Sequence, residues 1–292
     1  MQAYQKHPFE EHRPYLFSIA YRMLGSVSDA EDMVQEAFAR TQQTQGEVQH
    51  PRSYLSTVTT RLCMEHLRKA YVRRESYVGT WLPEPLVESV APDAERTTEL
   101  AEGLSLAFLR LLENLSPTER AVFLLREVFD YSYDEVASVV EKTPSSCRQI
   151  ARRARTHIQE NRPRFSTSEE KKQHLMSRFF ACCMEGDMDG LLNVLSEDAI
   201  LYSDGGGKVH AARRPIYGAN KIARFFFGIL KKKHEDVVIV PALINGEPGL
   251  LEYLHGEPKS AFTVVMTDEH IIELYSINNP DKIAHLPPFP SF

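Results

Sequence analysis

The chain has no Cys-x-x-Cys pair; its four cysteines in 292 residues stand at positions 63, 147, 182 and 183. So few thiols, unpaired in the sequence, exclude a disulfide-stapled fold and lead us to expect a reduced, cytoplasmic protein. Long apolar runs are missing too, and no window approaches the ~18 residues of a membrane span. Residues 1–13 mix Lys6, Glu10, Glu11 and Arg13 and lack the apolar core of a signal peptide, so no membrane partner is expected. Nor is there a basic excess: 34 Lys and Arg face 40 Asp and Glu, a formal charge of -6. Tryptophan occurs once, at Trp81. With 42% hydrophobic and 25% charged residues the composition is that of a soluble globular chain, long enough for about two domains of ~150 residues.

The acidic total conceals a segregation of charge. Residues 142–164 hold seven basic residues (Lys142, Arg148, Arg152, Arg153, Arg155, Arg162, Arg164) against Glu160 alone. Residues 61–74 hold five (Arg61, Arg68, Lys69, Arg73, Arg74) against Glu65. Between 29 and 36 the pattern reverses, with Asp29, Glu31, Asp32 and Glu36 and no basic residue. Two basic patches and one acidic helix suggest surfaces with different partners.

Helical periodicity runs from Pro8 to about Tyr77, in three helices. Gly25 closes the first, Ser28 and Asp29 are expected to cap the second, and Pro51 opens the third. Residues 75–97 read as a linker because Gly79, Pro83, Pro85 and Pro92 interrupt any helix. Trp81 within it has little use in solvent and implies that the segment docks. Helices return from 98 to 165, where Ser116, Pro117 and Glu119 form a capping-box start for a helix predicted over 120–129. The remainder predicts helices over 169–185, 190–195 and 218–231 and strands over 199–202, 237–244, 250–254, 261–266 and 271–277, an α+β domain with a curved antiparallel sheet.

The strongest local pattern is a helix-turn-helix: a short helix at 133–140, a turn, and a second helix from Ser145 to about Glu160. On the second helix Cys147, Ile150, Ala151, Ala154 and Ile158 form an apolar stripe, while Arg148, Gln149, Arg152, Arg153 and Arg155 lie on the other face. Arg can fork onto guanine and Gln onto adenine in the major groove, so this face suits duplex DNA; a solvated basic helix is the plainer alternative. The helix over 29–38 is acidic and amphipathic, either a solvated face or a dock for a basic protein. The third helix interleaves Arg52, Tyr54 and Arg61 with Ser53 and Thr57, which suits single-stranded DNA as well as it suits a bundle core.

Taken together these segments resemble the extracytoplasmic-function (ECF) sigma factors of bacterial RNA polymerase. SDAEDMVQEAF is similar to the core-binding helix of sigma region 2, and PRSYLSTVTTRLCMEHLRKA to the helix that melts and reads the -10 element. LSPTERAVFLLREVFDYSYDEVASVVEKTPSSCRQIARRAR is similar to region 4, which reads the -35 element. WLPEP, DGGGKV and NPDK resemble signatures of the subgroup with a fused SnoaL-like C-terminal domain. The resemblance implies a multi-domain chain: a helical region 2 over 1–77, a linker over 78–97, a helix-turn-helix region 4 over 98–165, and an α+β SnoaL-like cone over 168–292. It also implies a non-enzymatic initiation factor without metal or cofactor, with core polymerase, duplex -35 DNA and single-stranded -10 DNA as partners. Asp29, Asp32, Gln35, Glu36 and Phe38 would then meet polymerase; Arg52, Ser53, Tyr54, Thr57 and Arg61 the -10 strand; and Ser146, Arg148, Gln149, Arg152 and Arg153 the -35 duplex. Tyr54, Thr41 and Glu65 stand where relatives often carry Trp, Trp and Asp, which bears on promoter sequence rather than on function.

SnoaL-like relatives include cyclases and small-molecule binders, so a small ligand in the cone, or an isomerase or cyclase activity, competes with a regulatory role. By residue type Asp204, His210, Asp236 and His255 are the acid-base candidates. A ligand-sensing helix-turn-helix regulator is the other alternative. The three glycines after Asp204 favour a turn, and we expect Asp204, Gly205, Gly206, Gly207 and Lys208, with Asn279 and Asp281, to contact region 2 or the linker at Trp81 and Pro83. Such a contact would put the fused domain in the place of a separate anti-sigma protein, aided by its tethering. Cys147, near a helix start and Arg148, is the candidate for a lowered thiol pKa.

Overall fold

The computed structural model describes residues 9–43, 48–74, 77–88, 104–161, 168–230 and 236–289. Arg162, Arg164, the side chains of Arg73 and Arg74, and linker residues 89–97 lie outside the described residues. The chain forms two compact units, each discontinuous in sequence: 1–75 with 108–162, and 76–107 with 163–292.

The first unit begins with three packed helices, α1 (Arg13–Leu24), α2 (Val27–Gln42) and α3 (Pro51–Arg74). Gly25 ends α1 in the left-handed region (φ 67°), its N–H bonding to the Tyr21 carbonyl. The cap of α2 is Ser26, whose hydroxyl accepts the Asp29 N–H at 3.1 Å. It lies two residues before the expected cap because the Gly25 turn delivers the chain directly into the next helix. Leu16, Ile19 and Met23 of α1, Val34 and Phe38 of α2, and Leu55, Leu62 and Leu67 of α3 are buried together, each such side chain contributing about 1.5–3 kcal/mol.

The rest of this unit is α4 (Leu106–Leu112, entering the unit at Phe108), α5 (Pro117–Phe123), a π-turn (Leu124–Val128), α6 (Tyr133–Val140) and α7 (Pro144–Asn161). Both α5 and α6 start with complete capping boxes, Ser116 with Glu119 and Ser132 with Glu135. The helix expected over 120–129 instead widens after Phe123, where the Phe129 N–H reaches the Leu124 carbonyl five residues back. That wider turn accompanies an edge-on contact of the Phe129 ring with Tyr15, 5.5 Å away. Glu141 takes a left-handed conformation (φ 56°) that turns α6 into α7.

The second unit holds β1 (Val87–Glu88), α8 (Glu169–Glu185), α9 (Met188–Val194), β2 (Leu195–Asp204), β3 (Ile216–Tyr217), α10 (Ala219–Leu230), β4 (Val237–Ile244), β5 (Glu247–Leu254), β6 (Glu257–Met266), β7 (Ile271–Ile277) and α11 (Pro280–Ile283). Its seven strands run in the order β1-β4-β5-β6-β7-β2-β3, all neighbours antiparallel except β2 with β7. The linker thus contributes an edge strand, with Val87 opposite Ile244 and Glu88 opposite Leu243. Asn245 and Gly246, both at positive φ (54° and 76°), make the tight β4–β5 turn. Phe179 of α8 stacks on Phe262 of β6 at 5.5 Å, and Phe226 of α10 meets both rings edge-on. These rings fill space between the helices and the sheet.

Candidate functional site

The surface expected to meet polymerase lies on α2, where Asp32, Gln35 and Glu36 are exposed and Asp29 is half-buried. They border a groove of about 680 Å³ between α2 and α3, closed on the α3 side by Leu62, Glu65, His66 and Lys69. Asp29 Oδ2 lies 3.4 Å from His66 Nε2, and Glu36 is tied to Arg40 at 2.7 Å, leaving Asp32 and Gln35 as the least engaged of the set. Phe38 departs from expectation: at 6% exposure it belongs to the α1–α2–α3 core. Its position one turn after the buried Val34 directs it inward, so it supports the surface from beneath.

On α3 the residues expected at the -10 strand neither share one face nor are equally available: nine residues, about two and a half turns, put Arg61 on the side of the helix opposite Arg52. Arg52 and Ser53 are exposed, and Tyr54 and Thr57 partly so. The Arg52 guanidinium lies 3.9 Å from the centre of the Tyr15 ring. Tyr15 in turn donates to the Tyr131 hydroxyl at 3.2 Å, and burial first, then that hydrogen bond, pushes its phenol well above the ordinary value. Arg61 is fastened to α6: Nε donates to the Val139 carbonyl at 3.0 Å and Nη2 to the Ser138 carbonyl at 2.8 Å, with the Glu141 carboxylate at 3.2 Å. A guanidinium at a helix C-terminus satisfies carbonyls that have no partner within the helix and meets the negative end of its dipole. Within the same unit the buried Arg120 of α5 donates to the Met23 carbonyl at the end of α1, 2.6 Å away. The -10 and -35 candidates are therefore joined in one packed body.

On α7 the expected division of faces is present. Cys147, Ile150, Ala151, Ala154 and Ile158 are buried against Val136, Val139 and Val140 of α6, while Arg148, Gln149, Arg152 and Arg153 are exposed. Ser146, half-buried, takes part in the cap, its N–H bonding to Thr143 Oγ1 at 3.2 Å. Arg155 forks onto Glu127 at 2.6 and 3.1 Å, fixing the helix on its outer side. Arg148 lies 5.5 Å from the Tyr133 ring. The Cys147 thiol is pushed up by burial, against the expectation of a lowered value: desolvation outweighs Lys142 and Arg148.

The third group is the linker on the C-terminal unit. Asp204, fully buried at the end of β2, accepts from the Tyr77 hydroxyl at 2.6 Å and from the Leu82 N–H at 2.8 Å. Lys282 of α11, 6% exposed, pairs with Asp204 at 2.8 Å, donates to the Leu82 carbonyl, and sits 3.9 Å from the Trp81 ring. Asn279 donates to the Tyr77 hydroxyl at 2.9 Å, and the phenol of Tyr77 is raised by burial and by its bond to Asp204. Leu82, Pro83, Glu84 and Pro85 are buried. Gly205 has Ala211 and Val209 too close for a side chain, Gly206 (φ 59°) runs against Asn279, and Gly207 (φ 71°) against Val78. Lys208 does not reach the linker; Asp281 claims it at 2.6 and 2.7 Å, an exposed pair within the C-terminal unit. Lys282, three residues from the expected Asn279 and one from Asp281, holds the role foreseen for Lys208. Of the acid-base candidates, Asp204 has both oxygens committed to the linker, Lys282 and the Gly206 N–H, and His255 lies at the β5–β6 turn (φ 53°). Among the described residues no helix is long and apolar enough to cross a membrane.

Comparison with known proteins matches residues 8–72 to the Sigma-70 region 2 family and residues 105–158 to Sigma-70 region 4. The chain is 34% identical to the ECF RNA polymerase sigma factor SigJ of Mycobacterium tuberculosis, over 96% of this chain and 93% of that one. It is 36% identical to the probable ECF RNA polymerase sigma factor SigI of the same species, over 94% and 93%. The crystal structure of Mycobacterium tuberculosis SigJ superposes with a TM-score of 0.77 at 33% identity, covering 94% of this chain and 97% of that one.

Proposed function

The chain belongs to the ECF sigma factors of RNA polymerase, and from that premise we propose that its fused C-terminal domain governs when the two sigma regions open onto a promoter. An alternative sigma factor initiates transcription and performs no catalysis itself. In this reading Asp29, Asp32, Gln35 and Glu36 bind core polymerase, Arg52, Ser53, Tyr54, Thr57 and Arg61 the opened -10 strand, and Ser146, Arg148, Gln149, Arg152 and Arg153 the -35 duplex. The protein works in the cytoplasm, where polymerase and promoter are.

Magnitudes support an opening step. A compact body of ~130 residues has a radius of gyration of about 14 Å and is roughly 36 Å across. Elements about 25 base pairs apart lie about 85 Å apart along B-DNA at ~3.4 Å per pair. A unit that closes Arg61 onto α6 and Arg120 onto α1 cannot serve both elements in that state. It is a resting form.

The observation that carries the regulatory part is the buried Asp204–Lys282 pair, which holds the very segment joining region 2 to region 4. Asp204→Asn leaves Lys282 buried without its counter-charge, a change worth about 3–5 kcal/mol. It should lower the melting temperature of the C-terminal unit, expose the linker to protease and change promoter output several-fold with core polymerase present. Linker release with unaltered output would overturn the proposal. Asp32→Arg tests the other half: it should abolish association with core polymerase while leaving the circular dichroism spectrum intact.

A further inference from the structure

The linker is held a second time, further along, by one side chain. Asn245 at the β4–β5 turn is 3% exposed, although an Asn-Gly turn tip normally faces water. Its backbone N–H donates to the Leu86 carbonyl at 2.7 Å, and its Oδ1 accepts the Leu86 N–H at 2.9 Å. Its Nδ2 donates to the Leu104 carbonyl at 3.0 Å. One residue therefore grips the chain both at Leu86 and at Leu104, and standard bond lengths put those two carbonyls within about 10 Å of each other.

The consequence is a limit on reach. Two sigma bodies with radii of roughly 14 Å, centred on elements about 85 Å apart, leave on the order of 55 Å for the chain between the end of α3 and the start of α4. A free linker of about 32 residues extends to about 110 Å at ~3.4 Å per residue. Gripped by Asn245 it offers about 12 residues up to Leu86, at most ~40 Å, then ~10 Å across the grip and a few ångströms to α4. That total, about 57 Å, only just equals the required span and needs a straight path, which Tyr77 and Leu82, bound to the same Asp204 carboxylate, do not leave. The required span therefore sits at the limit of the gripped reach and well inside the free reach.

We propose that Asn245 is a positioning residue that sets the separation available to the -10 and -35 readers, and that its release is the step that lengthens the linker. This rests on the regulatory reading above. Asn is the residue that fits the task. It tolerates the left-handed turn and presents an acceptor to Leu86 and a donor to Leu104 on one planar group. Asp keeps the turn and the acceptor but replaces the Leu104 donor with an oxygen. Gly keeps the turn and removes both side-chain bonds.

The test is run-off transcription by holoenzyme on a promoter series whose -35 to -10 spacer grows in single base pairs, with Asn245→Asp, Asn245→Gly and Asp204→Asn beside the wild type. The Asn245 variants should use spacers about two to three base pairs longer than the wild type uses, with output on those templates raised at least threefold. Protease cleavage between 89 and 103 should speed up in parallel. Faster cleavage with an unchanged spacer profile overturns the role of Asn245. If Asp204→Asn shifts output in that event, the regulatory reading survives; if it too is silent, that reading fails independently. Unchanged cleavage in both Asn245 variants shows that the grip does not hold the linker and also overturns the proposal.

Discussion

The two helices proposed to meet DNA use their arginines differently. On α7, Arg152 and Arg153 stand exposed along the outer face, with Arg155 anchored to Glu127 beside them. On α3, Arg61 is spent on the carbonyl end of α6, and Arg52 lies on Tyr15. Under the proposed assignment the -35 face stays exposed, while Arg61, one of the five residues proposed for the -10 strand, is held within the protein.

The largest effect is expected on α7, where Arg152 and Arg153 are exposed. Replacing Arg152 and Arg153 together with Ala should weaken holoenzyme binding to -35 duplex by on the order of 100-fold at moderate salt. The slope of log affinity against log salt should shrink by about one for each phosphate that is no longer neutralised. Titration by fluorescence anisotropy at several salt concentrations checks both, and an unchanged slope would place the DNA elsewhere. Glu141→Ala probes the held surface without touching an assigned DNA residue: it removes one of three partners of Arg61, and promoter opening should accelerate about two- to fivefold in stopped-flow assays. Should opening slow instead, Glu141 supports the reader rather than restrains it.

Smaller effects concern the scaffold beneath α7. Ser132→Ala removes the cap of α6 and should cost about 1 kcal/mol in urea unfolding. Hydrogen bonding from Ser132 lowers the Glu135 pKa, and bonding from Ser116 lowers that of Glu119. A depressed carboxylate contributes stability above its unfolded pKa of 4.5 and loses it as pH falls through the folded value. The native unit should therefore weaken progressively below about pH 4.5, and Ser132→Ala should show a shallower acid loss. Last, burial raises all four thiols, but Cys182 alone is only half-buried, so native protein near neutral pH should be alkylated there first. Early labelling at Cys147 would mean that α7 is less firmly seated than its stripe implies.

Much of this architecture was legible from local patterns. Helix 169–185 and strands 237–244 and 271–277 have the boundaries that periodicity predicts, and the Ser116 capping box is a short local device readable in isolation. The two-residue strands β1 and β3 and the single turn α11 left no periodic trace because they are too short to show one. The linker dock was half legible. Trp81 and Asp204 stood out by type, but Lys282, Tyr77 and Asn245 acquire their roles from partners 78 to 202 positions away. Arg61 looked like a DNA residue by composition, and only packing reveals that α6 holds it.

The chain's route through its two units has a consequence in time. Residues 76–107 interrupt the first unit yet belong with 163–292. At ~5–20 residues per second, a ribosome that has finished the first unit needs roughly 7–26 s more to complete the second. During that interval α1–α7 can fold while β1 still lacks β4, and Leu86 and Leu104 still lack Asn245. Each molecule thus passes through an interval in which the first unit can be complete while the linker still lacks its partners in the second.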